Sequence, residues 1–158
     1  MTAVRAIGPD DQRAVSQFLA VAGSGTTVVV HGTTFDATTL PGLIVERDGE
    51  IDGLLTYDVQ GEDFEVVTLH AAERQTGVGT ALLQAATEIA RESGARRLWL
   101  VTTNDNVDAL RFYQRRGLRL VAVASGAVDE SRKLKPTIPL VGDYGIPLRD
   151  ELTLELVF

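Results

Sequence analysis

The segment Arg74-Gln75-Thr76-Gly77-Val78-Gly79-Thr80-Ala81 sets two glycines one residue apart at the start of an apolar periodicity, the composition of a backbone anion cradle. Glycine has no Cβ, so it allows a tight turn and lets a ligand approach the main chain. The periodicity that follows predicts a helix, and the first turn of a helix offers unpartnered N–H groups at the positive end of its dipole. A phosphate or pyrophosphate is therefore expected on the amides of residues 77–81. Two better-known phosphate loops do not fit. A Walker-type loop needs Lys-Ser/Thr after its last glycine, where this chain has Thr80-Ala81. A dinucleotide fingerprint needs a third glycine, and Leu82 occupies that position.

The neighbouring elements place this cradle. Residues 64–70, Phe-Glu-Val-Val-Thr-Leu-His, are rich in β-branched and aromatic side chains and predict a strand ahead of the turn. After it, Val78, Ala81, Leu82, Ala85, Ala86 and Ile89 recur at helical spacing, and Ser93-Gly94 supplies a left-handed stop. Residues 97–102 predict the next strand. The oxygens of Asn104-Asp105-Asn106 can cap a helix over 107–115, which Gly117 ends before a strand over 118–124. Earlier in the chain, 3–7 reads as a strand and 10–21 as a helix begun by Pro9 and aspartates. Asp48-Gly49 predicts a hairpin between 43–47 and 51–57, and a second hairpin leads to 64–70. A last strand covers 151–158.

In these blocks the chain resembles the Gcn5-related N-acetyltransferase (GNAT) family. The family signature Arg/Gln-x-x-Gly-x-Gly/Ala is matched by Arg74, Gly77 and Gly79. A second block, Asn-x-x-Ala followed by a tyrosine and Gly-Phe, is matched by Asn106, Ala109, Tyr113 and Gly117, with Leu118 standing where phenylalanine is usual. The resemblance is specific over 45–124. It implies an α/β (α+β) fold with a central mixed, mostly antiparallel sheet of six to seven strands flanked by helices, and acetyl-CoA in a splayed-strand cleft. For residues 23–41 it implies helical structure, whereas Thr27-Val28-Val29-Val30-His31 itself reads as a strand, and the two expectations conflict.

The resemblance also implies a site. Leu69, His70 and Ala71 would pair with the pantetheine arm through their backbone, while Arg74, Gln75, Thr76, Gly77, Val78, Gly79, Thr80 and Ala81 hold the pyrophosphate. Asn104, Asn106 and Ala109 are expected near the cofactor, although either asparagine serves equally well as a plain N-cap. An amine attacks the thioester directly, so the protein supplies proximity and no nucleophile. Tyr113, four residues after Ala109 on the same helical face, is the expected proton donor to the departing thiolate; packing is its competing role, which Phe112 can fill instead. Glu65 occupies the strand position of the family's catalytic glutamate and is the expected base, with His70 or a water chain as alternatives.

Composition narrows the field. The 158 residues are expected to form one domain over 1–158 with an ordinary apolar fraction. The absence of cysteine excludes disulfides, a thiolate nucleophile and cysteine-ligated zinc, and no metal is expected. A net charge of −7 argues against nucleic acid as partner; its diffuse field would favour a cationic amine, and it equally serves simply to keep the protein in solution. With no apolar run long enough to span a membrane and no leader-like start, no membrane partner and a cytoplasmic location are expected. Exposed sheet edges are compatible with a homodimer. Residues 125–150 form a connection too long for a hairpin turn, and the family resemblance implies that it borders the acceptor site; it carries Arg132-Lys133-Leu134-Lys135 and Gly142-Asp143-Tyr144-Gly145. Three functional classes follow: an N-acetyltransferase on a primary amine of a small molecule or polypeptide, a non-catalytic acyl-CoA sensing module, and a partner-binding domain. Stoichiometric coenzyme A binding separates the first two from the third, and Tyr113 together with an accessible acceptor cleft separates the first from the second.

Overall fold

A short strand, β1 (Arg5–Ala6), leads through a 3-10 turn at Pro9–Asp11 into α1 (Gln12–Val21). Proline fixes the φ that this turn needs, and the Asp11 carboxylate accepts the Gly8 N–H at 2.6 Å while pairing with Arg5 at 2.8 Å. Next comes β-structure where the family resemblance implied helix: β2 (Thr27–Val30) and β3 (Thr33–Asp36) form a two-stranded sheet of their own. The reason is local. Thr-Val-Val-Val is stiff at χ1 and favours a strand, and His31 and Gly32 take φ of 42° and 77°, the pair of positive values that a two-residue hairpin turn demands.

The computed structural model describes residues 2–74 and 76–158, so Gln75, one of the expected cofactor contacts, lies outside the described residues. The chain divides into two compact units: one runs through Val28 and includes Phe35–Leu98 and Phe158, and the other comprises Val29–Thr34 and Trp99–Val157.

In the first unit, β4 (Gly42–Arg47), β5 (Glu50–Gln60) and β6 (Asp63–Ala71) follow, and the strands lie in the order β1-β4-β5-β6, every pair antiparallel. Asp48 and Gly49, at φ 53° and 80°, make the expected turn between β4 and β5. Between β5 and β6 the register slips: Thr56 faces Thr68, yet Tyr57 faces Val66, which leaves Val67 as a bulge residue in β6. Helix α2 (Val78–Glu92) packs on β4, β5 and β6 through Val78, Leu82, Leu83, Ala86 and Ala90, all buried. Neighbouring strand residues point to opposite faces, so Gly53 receives α2 while Leu54 joins Val15, Leu19, Ala37 and Ile44 in the cluster under α1. Each fully buried leucine there is worth about 1.5–3 kcal/mol, which is what holds both helices to the sheet.

Strand β7 (Arg97–Thr103) opens in the first unit and continues into the second, where α3 (Val107–Arg115), β8 (Arg119–Ala124), α4 (Ala127–Leu134) and β9 (Glu151–Val157) follow. Strands β8 and β9 pair antiparallel, with β9 next to β7 in the sheet order. Helix α4 is the departure from the sequence reading, which treated 125–150 as a punctuated connection. Its signals are charges matched to the dipole: Asp129 and Glu130 in the first turn, Arg132 and Lys133 in the last, joined as i,i+3 pairs, after Gly126 at φ 75°. Beyond it, the Arg132 guanidinium donates to the carbonyls of Ile138 (3.2 Å), Pro139 (2.7 Å) and Leu148 (2.5 Å), tying down the segment that returns to β9. Among the described residues the fold class is thus mixed α/β with a mostly antiparallel seven-stranded sheet and four helices, as expected. Among the described residues no helix is long and apolar enough to cross a membrane.

Candidate active site

In the first unit the predicted cradle is a real helix start. Gly77 is the N-cap of α2 at φ 84°, a left-handed conformation that a side chain would strain, and a Cβ there would meet no atom within 4 Å. The turn therefore faces open space. The Ala81 N–H donates to the Gly77 carbonyl at 3.0 Å and so belongs to the helix itself. Helix geometry leaves the amides of Val78 and Gly79, ahead of it, without intrahelical acceptors. Thr80 and Ala81 are half-buried, Arg74 and Thr76 are exposed, and the Thr76 hydroxyl donates to the Glu73 carbonyl at 3.3 Å.

Gly53 joins this turn to the strand that precedes it. It pairs with Ala71 across the ladder, with Leu54 opposite His70 and Leu55 opposite Leu69, and on its open side it receives Val78 and Leu82. The end of β6 and the start of α2 thus share one glycine. Burial lowers the His70 imidazole below its ordinary pKa, so it stays neutral and able to accept a proton to lower pH. Glu65, further back on β6 opposite Asp58, is buried. The sequence reading missed Gly53; its only signal was a glycine inside a strand pattern, which marks a close approach.

The second unit holds the other predicted residues. The Asn106 side chain caps α3 by accepting from the Ala109 N–H at 3.3 Å. The Asn104 side chain, by contrast, is engaged at both ends: its NH2 donates to the Pro147 carbonyl at 2.8 Å, and its oxygen accepts the N–H groups of Arg149 and Asp150, each at 3.0 Å. Tyr113 is the buried residue of α3, edge-on to Phe112 at 5.3 Å, and Phe112 is in turn covered by the Arg116 guanidinium at 3.7 Å. Burial pushes the Tyr113 phenol well above its ordinary pKa, because the phenolate would be poorly solvated there. Tyr144, at φ 59°, donates its hydroxyl to Asp108 at 2.8 Å, and the buried Asp105 accepts the Asp143 N–H at 3.0 Å. The Gly142-Asp143-Tyr144-Gly145 segment is thereby fastened to the start of α3.

A pocket of about 560 Å³ also lies in the second unit, lined by His31 and Gly32 of the hairpin turn, Val101, Ala124, five residues of α4, and Glu151 and Thr153 of β9. Sequence reasoning expected the 125–150 connection, which supplies the α4 residues of this lining, to border the acceptor site, but gave His31, Val101, Ala124, Glu151 and Thr153 no role. The only hint was the alternation Glu151-Leu152-Thr153-Leu154, which normally reads as a solvated face opposite a buried one.

Comparison with known proteins decides the family. Residues 24–118 match the model of the acetyltransferase (GNAT) family. The chain belongs to that family. It is 45% identical over 113 residues to the Bacillus subtilis (strain 168) protein YdhI, covering 72% of this chain and 71% of that one. It is 32% identical over 124 residues to a streptothricin acetyltransferase of Streptomyces lavendulae, covering 74% of this chain and 63% of the relative. Among solved structures, a GNAT family acetyltransferase of Elizabethkingia anophelis with acetyl-CoA bound shares the fold at a TM-score of 0.71 and 16% identity, covering 99% of this chain and 97% of that one. The GNAT resemblance read from Arg74, Gly77, Gly79, Asn106, Ala109 and Tyr113 therefore identified the right family.

Proposed function

We propose that this GNAT chain is an N-acetyltransferase that moves the acetyl group of acetyl-CoA to a primary amine by direct attack, with residues 1–158 acting as one acetyltransferase domain. The observation that carries the reading is the start of α2: a left-handed Gly77 facing open space, followed by first-turn amides at the positive end of a 15-residue helix. That arrangement fits a pyrophosphate. The residues given this task are Gly77, Val78 and Gly79 through their backbone, with Arg74 as a neighbouring cation. Relatives add support, since a similar fold is known with acetyl-CoA bound and a sequence relative is a streptothricin acetyltransferase.

Acetyl-CoA supplies an activated thioester when bound. The chain supplies the rest. Backbone groups of Leu69, His70 and Ala71 orient the pantetheine arm as an added strand would, and an N–H near Leu69 polarises the thioester carbonyl. Asn106, through its place at the cap of α3, and Ala109 border the cofactor. Tyr113 keeps its phenol protonated at physiological pH, and that proton is the one assigned to the departing thiolate. The proton of the incoming amine passes to Glu65 or His70, directly or through water; His70 is neutral at physiological pH and therefore competent.

The test is free-thiol release from acetyl-CoA in the presence of polyamines, aminoglycosides, amino acids and peptide N-termini, alongside calorimetry with coenzyme A. Saturable coenzyme A binding and thiol release with at least one amine are expected. Tight binding with no release from any amine would make the chain a sensing module, and no binding at all would end the cofactor assignment.

A further inference from the structure

We propose that the pocket of the second unit is a binding site for a primary alkylammonium, with the ammonium on the Glu151 carboxylate and the alkyl stem against the apolar wall. Occupation of the site does not depend on acetyl transfer, and its ligand need not be the acceptor.

The pocket is built within one unit. On β9, Glu151 and Thr153 share one face while Leu152 and Leu154 turn to the other, and Glu151 lies opposite Ala124 of β8. Helix α4 presents Ala127, Ser131 and Leu134 at three- and four-residue spacing, so they fall on one side of it. Val101 of β7 and the hairpin turn at His31 and Gly32 complete the lining. The volume of about 560 Å³ lies within the ordinary range for a small-molecule site.

One buried charge decides what the pocket accepts. Glu151 is 6% exposed, and among the described residues the donor that meets its carboxylate is the His31 N–H, shared between the two oxygens at 3.2 and 3.3 Å. A carboxylate can accept about four hydrogen bonds, and a buried one short of donors is costly. Lys133, the cation of the lining, is engaged by Glu130 at 2.9 Å, both well exposed. The place between the two carboxylate oxygens, where the fork of a guanidinium would dock, is taken by the shared His31 N–H. A compact ammonium can instead approach one oxygen, and the buried Ser131 brings a hydroxyl to the same lining as a further acceptor. Val101, Ala124, Ala127 and Leu134 leave the rest of the ligand an apolar wall.

The His31 amide proton sits on the carboxylate and reports directly on it. Amide NMR titration of isotopically labelled protein with n-pentylamine at neutral pH, in about 0.15 M salt to screen the diffuse charge of the chain, reads the site. Saturable shifts are expected at His31, Gly32, Ser131 and Thr153, with n-pentanol binding at least about 10-fold more weakly and pentanoate not at all. E151Q keeps an acceptor for the His31 N–H but loses the charge, so n-pentylamine should weaken by about 10-fold or more and fall level with n-pentanol. A127L leaves the carboxylate and fills the wall, so it should weaken both ligands; thermal unfolding checks that each variant is folded. Equal affinity of the wild type for the amine and the alcohol would overturn the proposal. So would an amine preference surviving in E151Q, unchanged affinity in A127L, or shifts confined to acidic residues outside the lining. Should E151Q not fold, the comparison of amine with alcohol and the A127L variant still decide.

Discussion

Gly53 and Val78 are so close that a Cβ on residue 53 would stand 2.3 Å from Val78 Cγ1 and 3.0 Å from Leu82 Cδ1. The first contact is closer than real Cβ atoms come, and Val78 is β-branched, so its methyl cannot swing far; the second asks the end of Leu82 to give by a few tenths of an ångström. Because Val78 is also the first residue of α2, its position sets where the first-turn amides sit.

Gly53→Ala is therefore expected to lower stability by about 1–3 kcal/mol, as overpacking of a tight core does. Coenzyme A affinity should fall with it, since the helix start is displaced. Val78→Ala in the same chain should restore part of both. Thermal unfolding and calorimetry on the two variants check this, and a Gly53→Ala protein matching the wild type in both would disprove the coupling.

Thr56 and Thr68 make a second buried pair, hydroxyl to hydroxyl at 2.7 Å, directly opposite each other beside the Val67 bulge. Replacing one threonine by valine strands the other hydroxyl away from water. Thr56→Val is expected to cost about 1–3 kcal/mol, whereas the double change Thr56→Val with Thr68→Val should cost clearly less than twice that. Urea unfolding of both singles and the double completes the cycle; strict additivity would mean that the hydrogen bond carries no weight.

The parts of the fold legible in the sequence were those whose reason is local. Val78, Leu82, Ala86 and their neighbours announce α2 by period, Asp48-Gly49 announces its turn by backbone freedom, and Asn106 announces α3 by its cap. Helix α4 was obscured because its buried face is only Val128 and Ser131, too little for periodicity, and its evidence lay in charge placement read instead as a basic run. Asn104 illustrates a different limit. Its partners at Pro147, Arg149 and Asp150 are more than forty residues away, so sequence offered only the general capping preference of asparagine and the place near the cofactor that the resemblance implies. Glu151 looks like any solvated strand glutamate until α4 and the hairpin turn close over it.

Tyr113 links the proposed chemistry to a stability profile. Removing its hydroxyl should lower kcat by about 100-fold or more, the usual contribution of a positioned acid, with coenzyme A affinity held. Its phenol also has a raised pKa in the folded protein, against 10.0 in the ordinary case. Below pH 10 both folded and unfolded chains keep the proton, and the stabilisation is fully present. Above pH 10 the unfolded chain loses its proton first, so stability falls with a slope of up to about 1.4 kcal/mol per pH unit. Tyr113→Phe should lack that increment of alkaline sensitivity. Denaturant unfolding of both proteins between pH 8 and pH 11 would show parallel curves if burial of the phenol were not responsible.

His70 makes the opposite prediction on the acid side. Burial holds its imidazole below the ordinary value of 6.5, so the folded protein binds that proton less readily than the unfolded chain does. Above pH 6.5 neither state is protonated there and the stabilisation is complete; as the pH falls below 6.5 the unfolded chain takes up the proton first and stability declines toward the lower folded pKa. His70→Gln carries no such group and should lose less stability between pH 7 and pH 5 than the wild type. The same variant separates the two candidate bases: if His70 takes the amine proton, kcat drops by about 100-fold and the acid limb of the rate profile changes, whereas if Glu65 does, both survive in His70→Gln and are lost in Glu65→Gln. Unfolding and rate profiles measured on the same samples decide between them, because a purely structural His70 would shift the first and leave the second alone.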